Sequence, residues 1–148
     1  MGNEVKRIAI GCDHAGYELK DAIKSDLVAK GYEVKDFGTN GPDSVDYPDY
    51  VHPLASAIEN KEFPLGIVIC GSGNGVNITV NKHQGVRSAL CWDPELAKMA
   101  RLHNDANILA LSARYVDAEV SMACVKEFLE NEFEGGRHQN RVNKIACN

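Results

Sequence analysis

The sequence predicts an α/β fold, a Rossmann-like, three-layer αβα architecture with a five-stranded parallel sheet. Short apolar runs alternate with longer amphipathic runs along the chain, which is typical of repeated β-α units. Several short runs are apolar throughout, as expected for parallel strands that helices cover on both faces. We find no repeat, linker or low-complexity segment, so residues 1–148 are expected to form one domain.

Each element has its own signal in the sequence. The predicted strands are "RIAIGC" (7–12), "YEVKDF" (32–37), "LGIVIC" (65–70), "VRSALC" (86–91) and "NILAL" (107–111). Apolar residues recur at helical spacing from 19 to 27, and Gly31 ends that helix. Further helices are predicted at 50–60, 75–82, 93–102 and 117–133, with Asp93 and Asp117 as N-caps.

Composition narrows the function classes. The net charge of −5 argues against a general nucleic-acid binder or a basic membrane-surface protein. The five cysteines form no C-x-x-C pair, and the five histidines form no H-x-H or H-E-x-x-H spacing, so we expect no metal and no other cofactor. There is no signal-peptide core and no run of 18 apolar residues, which favours the cytoplasm and reduced thiols.

The ligand of such a sheet lies beyond the carboxyl ends of the strands, which selects three loops. They are "CDHAG" (12–16), "GTNGPDSVDYPD" (38–49) and "CGSGNG" (70–75). The spacing Gly71-x-Gly73-x-Gly75 is neither a dinucleotide fingerprint nor a Walker loop, and Val76 stands where a cysteine phosphatase loop has arginine. The remaining interpretation is a row of backbone N–H groups that binds an anion; the alternative is a tight strand-to-helix turn.

Cys70 is the reactive candidate of this loop. The start of a helix favours the thiolate form of a cysteine, and a thiolate can act as a nucleophile or as a base. The alternative is a buried strand cysteine that packs as a small apolar residue, which is what we expect of Cys91 and Cys124.

Polar residues near the other strand ends complete the candidate site. Asp13 and His14 follow the first strand and are expected to face the crevice; a helix cap with an exposed neighbour is the alternative. Tyr47 is a candidate for orienting a sugar, or an ordinary loop aromatic. His103 and Asn104 precede the fifth strand, at the amino end of the sheet, so they suit the site of a partner subunit in a dimer better than their own. The alternative for His103 is an ordinary surface histidine.

Arginines supply the expected phosphate contacts. Arg137 and Arg141 are four residues apart on a short helix that follows two glycines, a spacing that suits a bidentate phosphate clamp. A solvated, charged tail is the alternative. Arg114, after the fifth strand, is a third candidate. A thiolate, an amide cradle and arginines together favour a metal-free isomerase of a small phosphorylated sugar that works through an enediolate, or a phosphate-binding module.

The chain resembles one family over nearly its whole length. The segments "IAIGCDHAGYELK", "VDYPDY", "GIVICGSGNGVNI", "GVRSAL", "RLHNDANILAL" and "EGGRHQNRV" are similar to ribose-5-phosphate isomerase type B, whose fold group includes galactose-6-phosphate isomerase subunits. The resemblance implies interconversion of D-ribose 5-phosphate and D-ribulose 5-phosphate in the non-oxidative pentose phosphate pathway. It also implies a homodimer, or a dimer of dimers, with active sites shared between subunits.

The resemblance also implies roles for the candidate residues. Cys70 is the general base, and His103 is the acid that opens the furanose ring. The enediolate is cradled by Gly71, Ser72, Gly73, Asn74 and Gly75; sugar hydroxyls are held by Asp13 and Asn104; and the phosphate is bound by His14, Arg114, Arg137 and Arg141, with Tyr47 nearby.

Three features bear on which family member this chain resembles. Some relatives lack the cysteine and carry glutamate at the position of Gly75, so the thiolate version is expected here. Ser72 replaces a threonine that many relatives have, and "NGVNITVNK" replaces smaller apolar residues. The intact "LHND" and "GGRH" segments favour a pentose substrate. A hexose 6-phosphate isomerase (allose or galactose) and a non-catalytic phosphate- or nucleotide-binding module are the alternatives.

Overall fold

A computed structural model describes residues 6–147, which contain a single five-stranded parallel sheet in the order β2-β1-β3-β5-β4. The strands are β1 (Arg7–Cys12), β2 (Glu33–Asp36), β3 (Leu65–Cys70), β4 (Ser88–Leu90) and β5 (Ile108–Ser112). The helices are α1 (Tyr17–Ala29), α2 (Tyr47–Glu59), α3 (Asn74–Val80), α4 (Pro94–Asn104), α5 (Ala118–Glu130) and α6 (Arg137–Asn143). The predicted architecture is confirmed.

The helices cover both faces of the sheet, which explains the apolar central strands. On one face of the sheet, side chains of α1, α4 and α5 pack against the strands, among them Ile23, Ala97 and Phe128. On the other face, side chains of α2 and α3 such as Leu54 and Val76 form a second core with the strands. Each central strand therefore buries alternate side chains in different cores, so no position along it favours a polar residue.

The strand order places the topological switch between β1 and β3. The chain moves from β1 to one side for β2 and to the other side for β3. Loops that leave the carboxyl ends of β1 and β3 therefore diverge, and the crevice between them is the usual ligand position in such sheets.

Element boundaries differ modestly from those predicted. The edge strands β2 and β4 are shorter than the predicted strands 32–37 and 86–91, and α4 continues to Asn104. Asp93 caps α4, because its carboxylate accepts a hydrogen bond from the N–H of Glu95 at 2.8 Å. Asp117 stands at the N-cap position of α5, but its side chain makes no capping bond. No helix between residues 6 and 147 is long and apolar enough to span a bilayer.

Candidate active site

A cavity of about 570 Å³ opens at the carboxyl edge of the sheet, where the loops after β1, β2, β3 and β5 meet. Five predicted site residues line it: Asp13, His14, Tyr47, Gly71 and Arg114. Five residues that we had not singled out line it as well: Ala15, Val45, Asp46, Pro48 and Asp49. Most of these lie in the predicted loop 38–49, so the sequence located the loop and Tyr47 but not the loop's other contacts.

Cys70 ends β3 directly before the glycine loop and is only 4% exposed. Cys70 is not among the residues that line the cavity, whereas the next residue, Gly71, is. Its Sγ accepts a hydrogen bond from the N–H of Gly73 at 3.2 Å. Gly73 adopts φ +82°, a left-handed conformation that favours glycine, at the point where the loop turns into α3. A backbone N–H aimed at Sγ stabilises negative charge on that atom, which is what a thiolate base needs.

The loop amides do not all face the cavity. The N–H of Gly73 points to Cys70, and the N–H of Asn74 donates to Oγ of Ser72 at 3.1 Å. These two bonds stiffen the turn that leads into α3. The expected anion cradle is therefore a loop in which two amides already have internal partners.

Three of the other four cysteines are buried thiols of low reactivity. Burial raises the pKa of Cys12 and of Cys91 to about 12, and that of Cys124 to about 11. These three thiols stay protonated at neutral pH, and Cys91 and Cys124 pack within one apolar core. Cys147 is exposed, and all five cysteines are free.

The glycine loop touches two of the predicted binding residues. A Cβ on Gly75 would lie 2.5 Å from Cζ of Tyr47, so only glycine allows this ring to approach α3. A Cβ on Gly71 would lie 2.9 Å from Nη1 of Arg114, so the guanidinium lies against the loop. The bare backbone thus makes room for Tyr47 and Arg114 as well as for a ligand.

Asp13 and His14 face the cavity as predicted, with part of each side chain already bonded. Oδ1 of Asp13 accepts from the N–H groups of Ala15 at 2.9 Å and Gly16 at 3.3 Å, which fixes the turn before α1. Nδ1 of His14 accepts from the N–H of Val45 at 3.2 Å. A neutral His14 therefore carries its proton on Nε2, where it can donate to an anionic ligand.

Ser112 is a supporting residue that the sequence analysis missed. Its Oγ donates to the carbonyl oxygen of Gly71 at 2.8 Å and accepts from the N–H of Tyr115 at 3.0 Å. The N–H of Arg114 donates to the same carbonyl at 3.0 Å. Ser112 is the polar end of an otherwise apolar strand, and that contrast was the available signal.

A buried lysine holds the loop after β2. Lys20 of α1 is fully buried, and its Nζ donates to Oδ1 of Asp36 at 3.0 Å, to the carbonyl of Thr39 at 2.6 Å and to Oδ1 of Asn40. Burial alone would raise the pKa of Asp36, but the N–H of Gly38 and the lysine outweigh it, and the pKa is lowered. This network anchors the start of the segment whose later residues line the cavity.

The remaining predicted residues form a second group away from the cavity. His103 and Asn104 end α4, and Arg137 and Arg141 lie on α6; none of them lines the cavity. The position of α4 directly before β5 puts this group at the amino end of the sheet, as expected. The ring of His103 stacks on that of His138, with centroids 4.3 Å apart and an interplanar angle of 15°.

The predicted arginine clamp is partly committed to its own helix. Nη1 of Arg141 donates to the carbonyl oxygen of Arg137 at 3.1 Å. His138 lies between the two arginines in sequence, and burial, with the nearby charges of His103 and Arg137, lowers its pKa. This second group is cationic, in contrast to the acidic chain as a whole.

Comparison with known proteins adds a family to this geometry. The Ribose/Galactose Isomerase family matches residues 8–145. The chain belongs to that family. It is 44% identical over 143 residues to ribose-5-phosphate isomerase B of Escherichia coli. The alignment covers 97% of this chain and 96% of the relative.

Solved structures of the isomerase family share the fold. Ribose-5-phosphate isomerase B of Clostridium thermocellum is 50% identical and superposes with a TM-score of 0.92, with 94% of each chain covered. The enzyme of Mycoplasma genitalium, solved with bound ribulose 5-phosphate, is 42% identical with a TM-score of 0.90, covering 94% of this chain and 93% of its own. The family resemblance drawn from the sequence motifs is confirmed.

Proposed function

We propose that the protein is a ribose-5-phosphate isomerase that interconverts D-ribose 5-phosphate and D-ribulose 5-phosphate without a metal or other cofactor. The observation that carries this proposal is Cys70, whose sulfur accepts the N–H of Gly73 and which directly precedes Gly71 in the lining of the cavity that also contains Asp13, His14 and Arg114. Membership of the isomerase family supports it. We place the activity in one cytoplasmic domain and in the non-oxidative pentose phosphate pathway.

The proposed chemistry is a proton transfer through an enediolate. The thiolate of Cys70 takes the proton from C2 of the open-chain aldose, and the C–H electron pair forms the C1–C2 double bond while O1 becomes an oxyanion. The donors that we assign to that charge are the N–H groups of Gly71, Ser72 and Gly75 and the hydroxyl of Ser72, because the N–H groups of Gly73 and Asn74 are bonded within the loop. The proton then returns from the thiol to C1, and the hydroxyl on C2 gives its proton to the oxyanion on O1, so that C2 becomes the carbonyl of the ketose and C1 carries a hydroxyl.

The binding roles follow from charge and position. His14 Nε2 and the guanidinium of Arg114 are the donors nearest the cavity for a phosphate, because both residues line it. Asp13 has one carboxylate oxygen committed to the turn, and the other is available for a sugar hydroxyl. Tyr47 stands at the start of α2 beside Gly75, where its hydroxyl can orient the sugar.

The active unit that we propose is a homodimer, or a dimer of dimers, with shared sites. His103, Asn104, Arg137 and Arg141 lie at the opposite edge of the sheet from the cavity lining of the same chain. For His103 to open the sugar ring and the arginines of α6 to hold the phosphate, a partner subunit must bring that edge to the cavity.

The first test is direct turnover. We expect conversion of D-ribose 5-phosphate to ribulose 5-phosphate that EDTA does not reduce, measured by absorbance of the ketose. Faster turnover of allose 6-phosphate or galactose 6-phosphate would favour a hexose isomerase instead. No turnover of any of these sugars, with tight nucleotide or phosphate binding, would support the non-catalytic alternative.

Subunit complementation tests the shared site. Cys70→Ala and His103→Asn are each expected to be nearly inactive, yet a dimer of one subunit of each kind contains one site with both native residues. Random re-association of equal amounts therefore restores roughly a quarter of the wild-type activity, by the statistics of a two-fold symmetric dimer. Mixed subunits that stay inactive, with exchange verified by mass spectrometry, would place Cys70 and His103 in the same chain's site.

A further inference from the structure

Three metal-ligand side chains meet where the end of α4 faces the start of α6. Nε2 of His103 lies 3.8 Å, and Nε2 of His138 lies 3.6 Å, from the same carboxylate oxygen, Oε1 of Glu134. All three donor atoms lie within 4.8 Å of one another. The catalytic scheme uses only the first of these residues, so the convergence of the other two on it is unexplained by that scheme.

Two of the three separations between donor atoms are close to those of a tetrahedral zinc site, and the third, between the two imidazole nitrogens, is at most 4.8 Å and closes when one ring tilts. Bonds of about 2.0–2.2 Å to imidazole nitrogen and carboxylate oxygen put ligand atoms roughly 3.3–3.5 Å apart. The two separations to Glu134, 3.6 and 3.8 Å, must therefore shorten by only a few tenths of an ångström. Two histidines and one glutamate, with a fourth position left for water, form a known zinc ligand set.

The side chains have the freedom that closure around an ion requires. The stacked rings are nearly parallel, so one must tilt for both nitrogen lone pairs to converge. The side chains of His103 and Glu134 are 38% and 51% exposed and can turn, whereas His138 is 12% exposed and serves as the fixed ligand. Glu134 also precedes Gly135 and Gly136, which both have positive φ and form the turn into α6.

The surroundings discriminate between classes of cation. Arg137 and Arg141 add positive charge on α6, which disfavours ions held mainly by electrostatic attraction. Mg²⁺ and Ca²⁺ also prefer oxygen ligands, and only one of the three donors here is oxygen. Imidazole nitrogen instead suits zinc, cobalt, nickel and copper.

We propose that His103, Glu134 and His138 form a binding site for Zn²⁺ and similar divalent transition-metal ions. The ion occupies Nε2 of His103, so it blocks proton transfer by that nitrogen and inhibits ring opening. The binding site stands on the geometry alone, while the inhibition rests on the proposed isomerase function. The site is thus regulatory, and turnover itself still needs no metal.

Cobalt binding tests the site independently of activity. Titration of the full-length protein with Co²⁺ is expected to give visible d–d absorption that saturates at one ion per chain and is displaced by Zn²⁺. His138→Gln is expected to lose this signal, and His52→Gln, which removes an exposed imidazole on α2, is expected to retain it. Equal titration of all three proteins, or near-ultraviolet thiolate-to-cobalt bands, would overturn the assignment because no cysteine belongs to the cluster.

Inhibition by zinc tests whether an ion on His103 blocks ring opening. Each variant's rate on ribose 5-phosphate is compared with its own rate in EDTA, so any effect on basal turnover cancels. We expect His138→Gln to need at least about tenfold more free Zn²⁺ for half-inhibition. A loss of metal affinity of about tenfold is usual when a ligand, or a group that supports a ligand, is removed. Equal inhibition of wild type and variant would overturn the inhibitory role. A wild type that has no turnover on sugars fails the proposed function, and the cobalt titration still decides the metal site.

Discussion

Replacing Cys70 with alanine is expected to lower kcat for ribose 5-phosphate by about 10²–10⁴-fold, the contribution of a positioned general base. KM should change little, because the cavity residues that we assign to the phosphate, His14 and Arg114, are untouched. Steady-state kinetics of the purified variant measure both quantities. A rate within about tenfold of wild type would move the base to another group, and the cavity carboxylates of Asp46 and Asp49 would be the next candidates.

Two further variants make the Cys70 experiment specific. Cys70→Ser keeps a side chain that can accept the N–H of Gly73 but is a far weaker base at neutral pH, so it should be as slow as alanine. Cys147→Ala removes the exposed thiol and should leave the rate unchanged. Solvent deuterium should enter C1 of the product in the wild type, because the enediolate scheme passes the proton through a group that can exchange with water.

Replacing Lys20 with methionine is expected to lower the free energy of unfolding by about 3–5 kcal/mol, because it leaves the charge of Asp36 without its buried partner. Methionine keeps most of the chain length, so the loss reports the ammonium group and not a large cavity. Urea denaturation at neutral pH measures it. Lys24→Met is the matched control: Lys24 binds the same carboxylate at 3.2 Å but is 39% exposed, and about 1 kcal/mol or less is expected.

The pH dependence of the Lys20 effect has a definite sign. The folded-state pKa of Asp36 is lowered, so its ionised form contributes stability above its unfolded pKa of about 3.9, and that contribution is lost as the pH falls through the folded value. The difference between wild type and Lys20→Met should therefore narrow in acid. Equal free energies of unfolding for the Lys20 and Lys24 variants at neutral pH would contradict the larger contribution of the buried lysine.

The Lys20 variant also separates stability from function. Its partners Thr39 and Asn40 begin the segment that continues to Val45 and Tyr47 at the cavity. Loosening this segment should raise KM for ribose 5-phosphate more than it lowers kcat, because Cys70 and its loop lie on other elements.

The sequence by itself determined the architecture and the position of the active-site loops. The runs that became β1, β3 and β5 are apolar because helices cover both faces, and this burial leaves a continuous apolar run that can be recognised without knowing its partners. The parallel sheet then brings every strand's carboxyl end to one edge. Asp13, His14, Cys70 and the glycine loop could therefore be grouped before any contact was known.

Tertiary structure alone decided the contacts between distant segments. The three partners of Lys20 lie 16 to 20 residues away, and its helix gave no sign that this charge is buried. Glu134 and His138 reach His103 only because α6 packs beside the end of α4, so the test for closely spaced ligands in the sequence could not detect them. Periodicity reports how much of a residue is buried, whereas the identity of its neighbours depends on how elements pack, and that information is spread over the whole chain.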